Sequence, residues 1–250
     1  MVFVTDFGLA DGYAAELWGA ATATAPAVRC VDGTHLIPPF DVITAAYVCK
    51  RLARTFGRGA VLCAVVDPGV GGARAAVAVE CDGVLAVAPD TGLVTYLWTE
   101  AAERRAVRLP APATASATFH GRDVFAPLAA RLASGEALAG LGDPLVAPVL
   151  RRELMPSPEG SMLRSLVVCV DHFGNCATGI RRRDVSGRWV AGVSWPGGST
   201  RVAVSTYAEI GTGLAALWNS AAHLELAASE ASAAVLAGLA VGAPVEVELG

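Results

Sequence analysis

Four short polar clusters stand directly after apolar runs in this 250-residue chain, and their residue types are those of ligand binding and proton transfer. Asp6 and Asp11 follow Val2–Thr5. Asp67 closes the run Val61–Val66 and opens Asp67-Pro68-Gly69-Val70-Gly71, with Arg74 shortly after. His120 lies in Thr118-Phe119-His120-Gly121-Arg122-Asp123, immediately ahead of a helical pattern. Asp171 closes Leu166–Val170 and opens Asp171-His172-Phe173-Gly174-Asn175. In an open α/β sheet, ligands bind outside the carboxyl ends of the strands. Taken singly, each residue also has a structural reading: Asp6, Asp11 and Asp171 as turn formers or caps, Asp67-Pro68-Gly69 as a turn paired with Arg74, His120 as a satisfied histidine, Phe173 as core. Their coincidence at strand ends points to a site, but residue types alone name no substrate.

Familiar templates fail. In Gly69-Val70-Gly71-Gly72-Ala73-Arg74 the third glycine of a dinucleotide fingerprint would fall on Arg74, and no Gly-Lys-Ser/Thr follows to make a phosphate loop. His35, His120, His172 and His223 show no paired spacing for zinc, so no metal site is expected. No Gly-x-Ser-x-Gly elbow occurs.

The elements that must hold these clusters follow from periodicity. Val2–Thr5 reads as a strand, with Asp11 as cap of a helix running to about Thr24 and stopped by Pro26. Val28–Val31 is the next short strand. Asp41 caps a second helix whose apolar positions Val42, Ala45, Ala46, Cys49, Leu52 and Ala53 share one face. Val61–Val66 has the unbroken apolarity of a central strand covered on both sides. Strands at Ala75–Val79 and Val84–Ala88 and a third helix from near Asp123 complete an α/β pattern with a largely parallel sheet. Asp143–Gly160 carries Pro144, Pro148, Pro156 and Pro158, a linker composition. Short strands at Leu166–Val170, Trp189–Val193 and Arg201–Val204 then suggest a small all-β barrel or sandwich. Two domains are expected, over about 1–155 and 163–250.

The hydrophobic share is 54% and the mean hydropathy is +0.49. Even so, the charge-free run Ala231–Val245 is too short, and too rich in Ala and Gly, to span a membrane. The apolarity belongs to a packed interior or to subunit contacts. A net charge of −4 gives no nucleic-acid footprint. Opening on Val2-Phe3-Val4, the chain shows no charged leader. Its six cysteines are scattered, without a Cys-x-x-Cys pair, as expected of small buried hydrophobes in a reducing compartment. The expected location is the cytoplasm.

Read in order, Thr5-Asp6-Phe7-Gly8-x-x-Asp11, Asp67-Pro68-Gly69-Val70-Gly71-x-x-Arg74, Thr118-Phe119-His120-Gly121-Arg122-Asp123, Asp171-x-Phe173-Gly174-Asn175 and Asn219-Ser220 resemble the S-adenosylmethionine (SAM) hydroxide adenosyltransferases. These are SAM hydrolases related to the SAM-dependent fluorinase and chlorinase. The resemblance covers almost the whole chain. It implies an N-terminal α/β domain and a C-terminal β-barrel, assembled as a homotrimer with SAM between the N-terminal domain of one subunit and the C-terminal domain of its neighbour. It also implies that SAM is a substrate, with adenosine and L-methionine as products, and that no cofactor is used. By the same carry-over Asp6 would hold the ribose diol, and Asp11 and Asp171 the methionine ammonium. Phe173 and Asn175 would line the adenine pocket, Ser220 would lie near the methionine carboxylate, and Phe40 and Tyr207 would be aromatic walls.

The resemblance separates hydrolase from halogenase at the nucleophile. Halogenases carry tyrosine where Asp67 stands, and the fluorinase a halide-binding serine where Gly121 stands. Asp67, Arg74 and His120 together are the hydrolase trio. The chemistry agrees, because a sulfonium leaves as a neutral thioether and needs no acid, whereas water is a poor nucleophile. Arg74 can stabilise a developing hydroxide while Asp67 and His120 orient the water and relay its proton. A carboxylate at the attack site also repels halide. This sequence departs from the fluorinase at Ala221, where an arginine stands, and at Ala228-Ser229-Glu230, in place of Arg-Asn-Ala. Thr91 stands where relatives usually carry Asn. The competing readings are a SAM-dependent chlorinase and a non-catalytic SAM or adenosine sensor.

Overall fold

The computed structural model describes residues 1–250, which divide into two compact units, Met1–Leu150 and Arg151–Gly250. No helix in either is long and apolar enough to cross a membrane.

The first unit contains β1 (Val2–Thr5), α1 (Tyr13–Thr24), β2 (Val31–Thr34), α2 (Val42–Phe56), β3 (Val61–Val65), β4 (Ala76–Cys81), β5 (Val84–Pro89), α3 (Thr95–Glu100), β6 (Arg104–Leu109), α4 (Ala126–Ala133) and β7 (Asp143–Leu145). Its seven-stranded sheet has the order β2-β1-β3-β5-β4-β6-β7. Strands alternate their side chains between faces, and here both faces are covered. Phe3, Val61, Cys63 and Val65 pack with Leu17 and Ala21 of α1 and with Ala126, Ala129 and Ala130 of α4. Val2, Val4, Leu62 and Ala64 pack on the other face with Ala45, Cys49 and Ala53 of α2 and Trp98 of α3. Each fully buried Val, Leu or Phe side chain contributes about 1.5–3 kcal/mol. This two-sided cover is why β1 and β3 read as unbroken apolar runs.

The sheet is mixed, which corrects the expectation of a largely parallel one. β1 is parallel to β2 and β3, and β3 to β5. From β5 outward, β4, β6 and β7 all pair antiparallel. The cause is local: Asp82 and Gly83 both have positive φ (49° and 81°), the two-residue hairpin turn that reverses the chain between β4 and β5. The Asp82 carboxylate also accepts from the backbone N–H groups of Ala102 and Glu103, tying the start of β6 to the same corner.

Other boundaries move too. α1 starts at Tyr13 behind Gly12 (φ 78°), with no side-chain cap, so Asp11 is not its cap. Asp41 does cap α2, accepting from Thr44 N at 2.9 Å. β2 begins at Val31, three residues later than its apolarity suggests, because it is a mostly exposed edge strand held by backbone contact. A Cβ on Gly33 would come within 2.9 Å of the Phe3 carbonyl oxygen. The helical pattern near Asp123 begins with a π-helical turn over Gly121–Phe125 and continues as α4, and α3 precedes it without having been expected. Within the proline-rich stretch, Asp143–Leu145 is the edge strand β7.

The second unit holds β8 (Ser157–Glu159), β9 (Met162–Val170), β10 (Cys176–Arg181), β11 (Val190–Trp195), β12 (Gly198–Thr200), β13 (Leu214–Trp218), β14 (His223–Ala228), α5 (Ala233–Ala237) and β15 (Pro244–Leu249). All its named strand pairs are antiparallel, in the order β12-β11-β15-β9-β10-β14-β13, with β8 beside β9. Arg201–Val204 is not a strand. Instead Val202 and Val204 bond Ala216 of β13 (2.8 and 3.0 Å), and Thr200 Oγ1 donates to the Leu214 carbonyl, nearly closing the sheet into a barrel. Leu163, Val167, Ile180, Leu224, Leu226 and Val247 fill it. Five of the six cysteines are buried and all six are free.

Candidate active site

In a sheet ordered β2-β1-β3, the chain leaves β1 through α1 on one face and reaches β3 through α2 on the other. A crevice therefore opens at the carboxyl ends of β1 and β3. Asp6 follows β1 and Asp67 follows β3 at that point. Asp6, Phe40, Asp67, Phe119 and His120 line a cavity of about 250 Å³ there.

Two glycines permit the close packing. Gly71 (φ 75°) lies so near the 117–120 loop that a Cβ would collide with the Ala117 carbonyl oxygen. A Cβ on Gly121 would sit 2.7 Å from Phe7 Cζ. The Phe7 ring packs edge-on against Phe119 (centroids 5.6 Å apart), and Phe119 against Tyr13 (5.1 Å). The two loops thus bring Arg74 to His120 across 46 residues of sequence.

Arg74 Nε donates to Asp67 Oδ1 (2.9 Å) and Oδ2 (3.0 Å), and an Arg74 terminal nitrogen donates to Oδ2 as well. Gly69 N–H adds a bond to Oδ1 (3.2 Å), closing the Asp-Pro-Gly turn. Both side chains are nearly buried, at 12% exposure for Arg74 and 6% for Asp67. The Arg74 guanidinium lies over the Phe125 ring at 5.1 Å. The same terminal nitrogen meets His120 Nδ1 at 2.8 Å. A guanidinium only donates, so Nδ1 must be the acceptor and His120 carries its proton on Nε2. The trio is one connected unit.

Asp6 accepts from Phe40 N–H at 2.9 Å. Burial holds its carboxyl above the usual carboxylate range, although the Phe40 bond pulls the other way; the nearby Asp67 charge adds to the rise. Phe40 is 68% exposed and has φ 67°, a strained conformation for a non-glycine residue. Behind this loop is a brace that the sequence reading left out. Thr5 Oγ1 meets His35 Nδ1 (2.8 Å), His35 Nε2 meets Asp32 (3.0 Å), and Trp18 Nε1 donates to Asp32 (2.6 Å). Gly8 N–H donates to the His35 carbonyl. His35 follows a strand as the other site residues do, so its placement was the available signal.

The second unit has its own cavity, of about 660 Å³, lined by Asp171, Phe173, Asn175, Tyr207, Glu230 and Ser232 among others. Asp171 Oδ1 accepts from the backbone of Phe173 and Asn175 (both 2.9 Å), and Oδ2 accepts from Asn175 Nδ2 (3.1 Å). The carboxylate therefore builds its own loop, which leaves Phe173 74% exposed on the cavity. Gly174 lets this loop meet α5, where a Cβ would collide with Ser232 Oγ. Asp11 and Ser220 are exposed and line neither cavity. No group of three or more His, Cys, Asp or Glu side chains is arranged to hold a metal ion.

Comparison with known proteins bears on both units. Residues 1–142 match the SAM hydroxide adenosyltransferase N-terminal domain and residues 165–246 its C-terminal domain. An (R)-S-adenosyl-L-methionine hydrolase from Thermus thermophilus is 39% identical, with 98% of each chain covered. One of the same name from Salinispora arenicola is 47% identical over 69% of each. The crystal structure of an uncharacterized conserved protein from Thermotoga maritima superposes with a TM-score of 0.88 at 29% identity, covering 99% of each chain. The chain accordingly belongs to the SAM hydroxide adenosyltransferase family.

Proposed function

We propose that this protein hydrolyses S-adenosyl-L-methionine to adenosine and L-methionine, with Asp67, Arg74 and His120 handling the attacking water. The observation that carries the reading is the continuous Asp67–Arg74–His120 contact at the crevice between β1 and β3. The water oxygen bonds to ribose C5′ as the C5′–S bond breaks. Its electron pair returns to sulfur, giving a neutral thioether, and one water proton is released. Arg74 supplies the fixed positive charge that stabilises hydroxide. With Nδ1 occupied by Arg74, His120 donates through Nε2–H and orients the oxygen, leaving the Asp67 carboxylate as the proton acceptor. The Asp67 carboxylate can take a proton from water but gains none from chloride or fluoride, whose charge it opposes, so the arrangement favours water over halide.

In this reading Asp6 takes the ribose diol through its remaining lone pairs, and Phe40 flanks the nucleoside. Asp11, exposed and without a hydrogen bond to the protein, is available to the methionine ammonium. Asp171 adds charge to that end while shaping its loop. Phe173, Asn175 and Tyr207 receive the adenine and Ser220 the methionine carboxylate. The two cavities act as half-sites contributed by neighbouring copies in a homotrimer, a reading supported by the exposed Phe40 and Phe173. A reducing, cytoplasmic setting is supported by the six unpaired cysteines.

Incubation with SAM in ¹⁸O-water containing chloride, followed by mass spectrometry, tests the reaction. Adenosine labelled at the 5′-oxygen together with methionine is expected. A chlorinated nucleoside would make the protein a halogenase, and bound but unconverted SAM a sensor. Asp67→Ala and His120→Ala should lower kcat far more than they weaken SAM binding. Equal losses would refute the roles given to these two residues.

A further inference from the structure

Glu225 of β14 is 4% exposed, and a carboxylate taken from water must be repaid by good hydrogen bonds. Two are present, from separate parts of the barrel. Tyr207 donates its phenolic O–H to Oε1 at 2.6 Å, and Asn219 Nδ2 donates to Oε2 at 2.9 Å. Tyr207 lines the second unit's cavity, so its hydroxyl is tethered while its ring forms wall. Asn219 uses its other side-chain atom, Oδ1, to accept from Ala221 N–H (3.0 Å) and His223 N–H (3.1 Å), which builds the turn carrying Ser220. One buried carboxylate thus joins the cavity's aromatic wall to the β13–β14 turn. The wall itself lies on a short exposed 3₁₀ turn, Tyr207–Glu209, whose Glu209 carboxylate accepts from Ser205 N–H and Thr206 Oγ1; the Glu225 bond is what ties the Tyr207 hydroxyl to the barrel strand.

We propose that Glu225 is a positioning residue that pre-organises the nucleoside-binding half-site, locking the Tyr207 ring and the Ser220 turn in one geometry before SAM arrives. The inference rests on the SAM-hydrolase reading. It assigns Glu225 no contact with the reacting atoms, so its loss weakens substrate capture and leaves the chemical step intact.

The donor and acceptor pattern supplies the test. In Glu225→Gln either orientation of the amide loses a native bond: with its oxygen on Tyr207 its NH₂ faces the Asn219 NH₂, and with its oxygen on Asn219 the Tyr207 hydroxyl must turn its proton away and accept from the amide. Adding Asn219→Asp restores the complement in reverse: the new carboxylate accepts from the introduced amide while its other oxygen keeps the Ala221 and His223 bonds. Glu225→Gln should raise KM for SAM and the calorimetric Kd for adenosine by about tenfold or more, because a hydrogen-bonded buried charge is lost. The kcat should stay within a factor of about two, since the chemical step makes no use of this group. The double variant should recover most of the KM, and Tyr207→Phe should raise KM. An unchanged KM in folded Glu225→Gln, a fall in kcat alone, or no recovery in the double variant would overturn the proposal. If Glu225→Gln does not fold, Tyr207→Phe with unchanged KM overturns it alone. Wild-type protein that leaves SAM intact would refute the hydrolase reading instead, and adenosine calorimetry on the same variants would still decide the role of Glu225.

Discussion

Replacing Arg74 by Met keeps much of the side-chain volume over Phe125 but removes every donor to Asp67 except Gly69 N–H. Opposite charges about 4 Å apart at an effective permittivity of about 20 attract by about 4 kcal/mol. Stranding one member of a buried pair costs about 3–5 kcal/mol. With Asp67 only 6% exposed, the full range applies. In a unit of this size it corresponds to a Tm lower by about 6–20 °C. Asp67→Asn combined with Arg74→Met removes the uncompensated charge and should regain at least half of the stability while remaining inactive. That outcome separates the structural role of the pair from the catalytic one proposed for it. Thermal and urea denaturation of wild type, the single variant and the double variant give the cycle. An Arg74→Met loss below about 1 kcal/mol, or a double variant no more stable than the single, would refute a buried, mutually dependent pair.

Gly71→Ala, at φ 75° and against the Ala117 carbonyl, should displace the loop that carries Arg74 toward His120. A drop in kcat of about 100-fold with an unchanged circular dichroism spectrum is expected, since misplacement by about 1 Å costs that much. Asp6→Asn tests the raised Asp6 carboxyl. The fold binds this proton more tightly than the unfolded chain does, so the native carboxyl loses stability as pH rises through the interval between the two values, and the cost is complete above it. Asp6→Asn should therefore raise Tm at pH 7 and lose that advantage toward pH 4, while SAM turnover falls; a gain that grows with acid would contradict the sign. A thiol reagent should label half-buried Cys30 first. Burial pushes Cys49 and Cys81 up to about 12, so labelling of either at the rate of Cys30 would contradict the packing.

Much of this protein was legible in its sequence. The unbroken apolarity of Val61–Val66 marks a strand buried on both faces, and the Asp41 cap with its one-sided helix needs only local chemistry. The ordered motifs around Asp6, Asp67, His120, Asp171 and Asn219 identify the family, because their residue types and order survive without any knowledge of packing. The Asp82-Gly83 turn was also available as a hairpin signal, and it makes half of the first sheet antiparallel.

Other features depend on contacts between distant segments. Periodicity misplaced β2 because an exposed edge strand is held by backbone pairing and by the missing side chain of Gly33. Arg74 reaches His120 because Gly71 lets two loops far apart in sequence touch. That single contact decides which nitrogen of His120 carries a proton. Asp171 and Glu225 make the same point from opposite sides. The first belongs to a prominent motif and spends its carboxylate on its own loop; the second stands in an ordinary strand and ties two distant segments together. Sequence determines residue chemistry and local periodicity. Which donor meets which acceptor is settled when long-range packing removes water and leaves each buried polar group a small choice of partners.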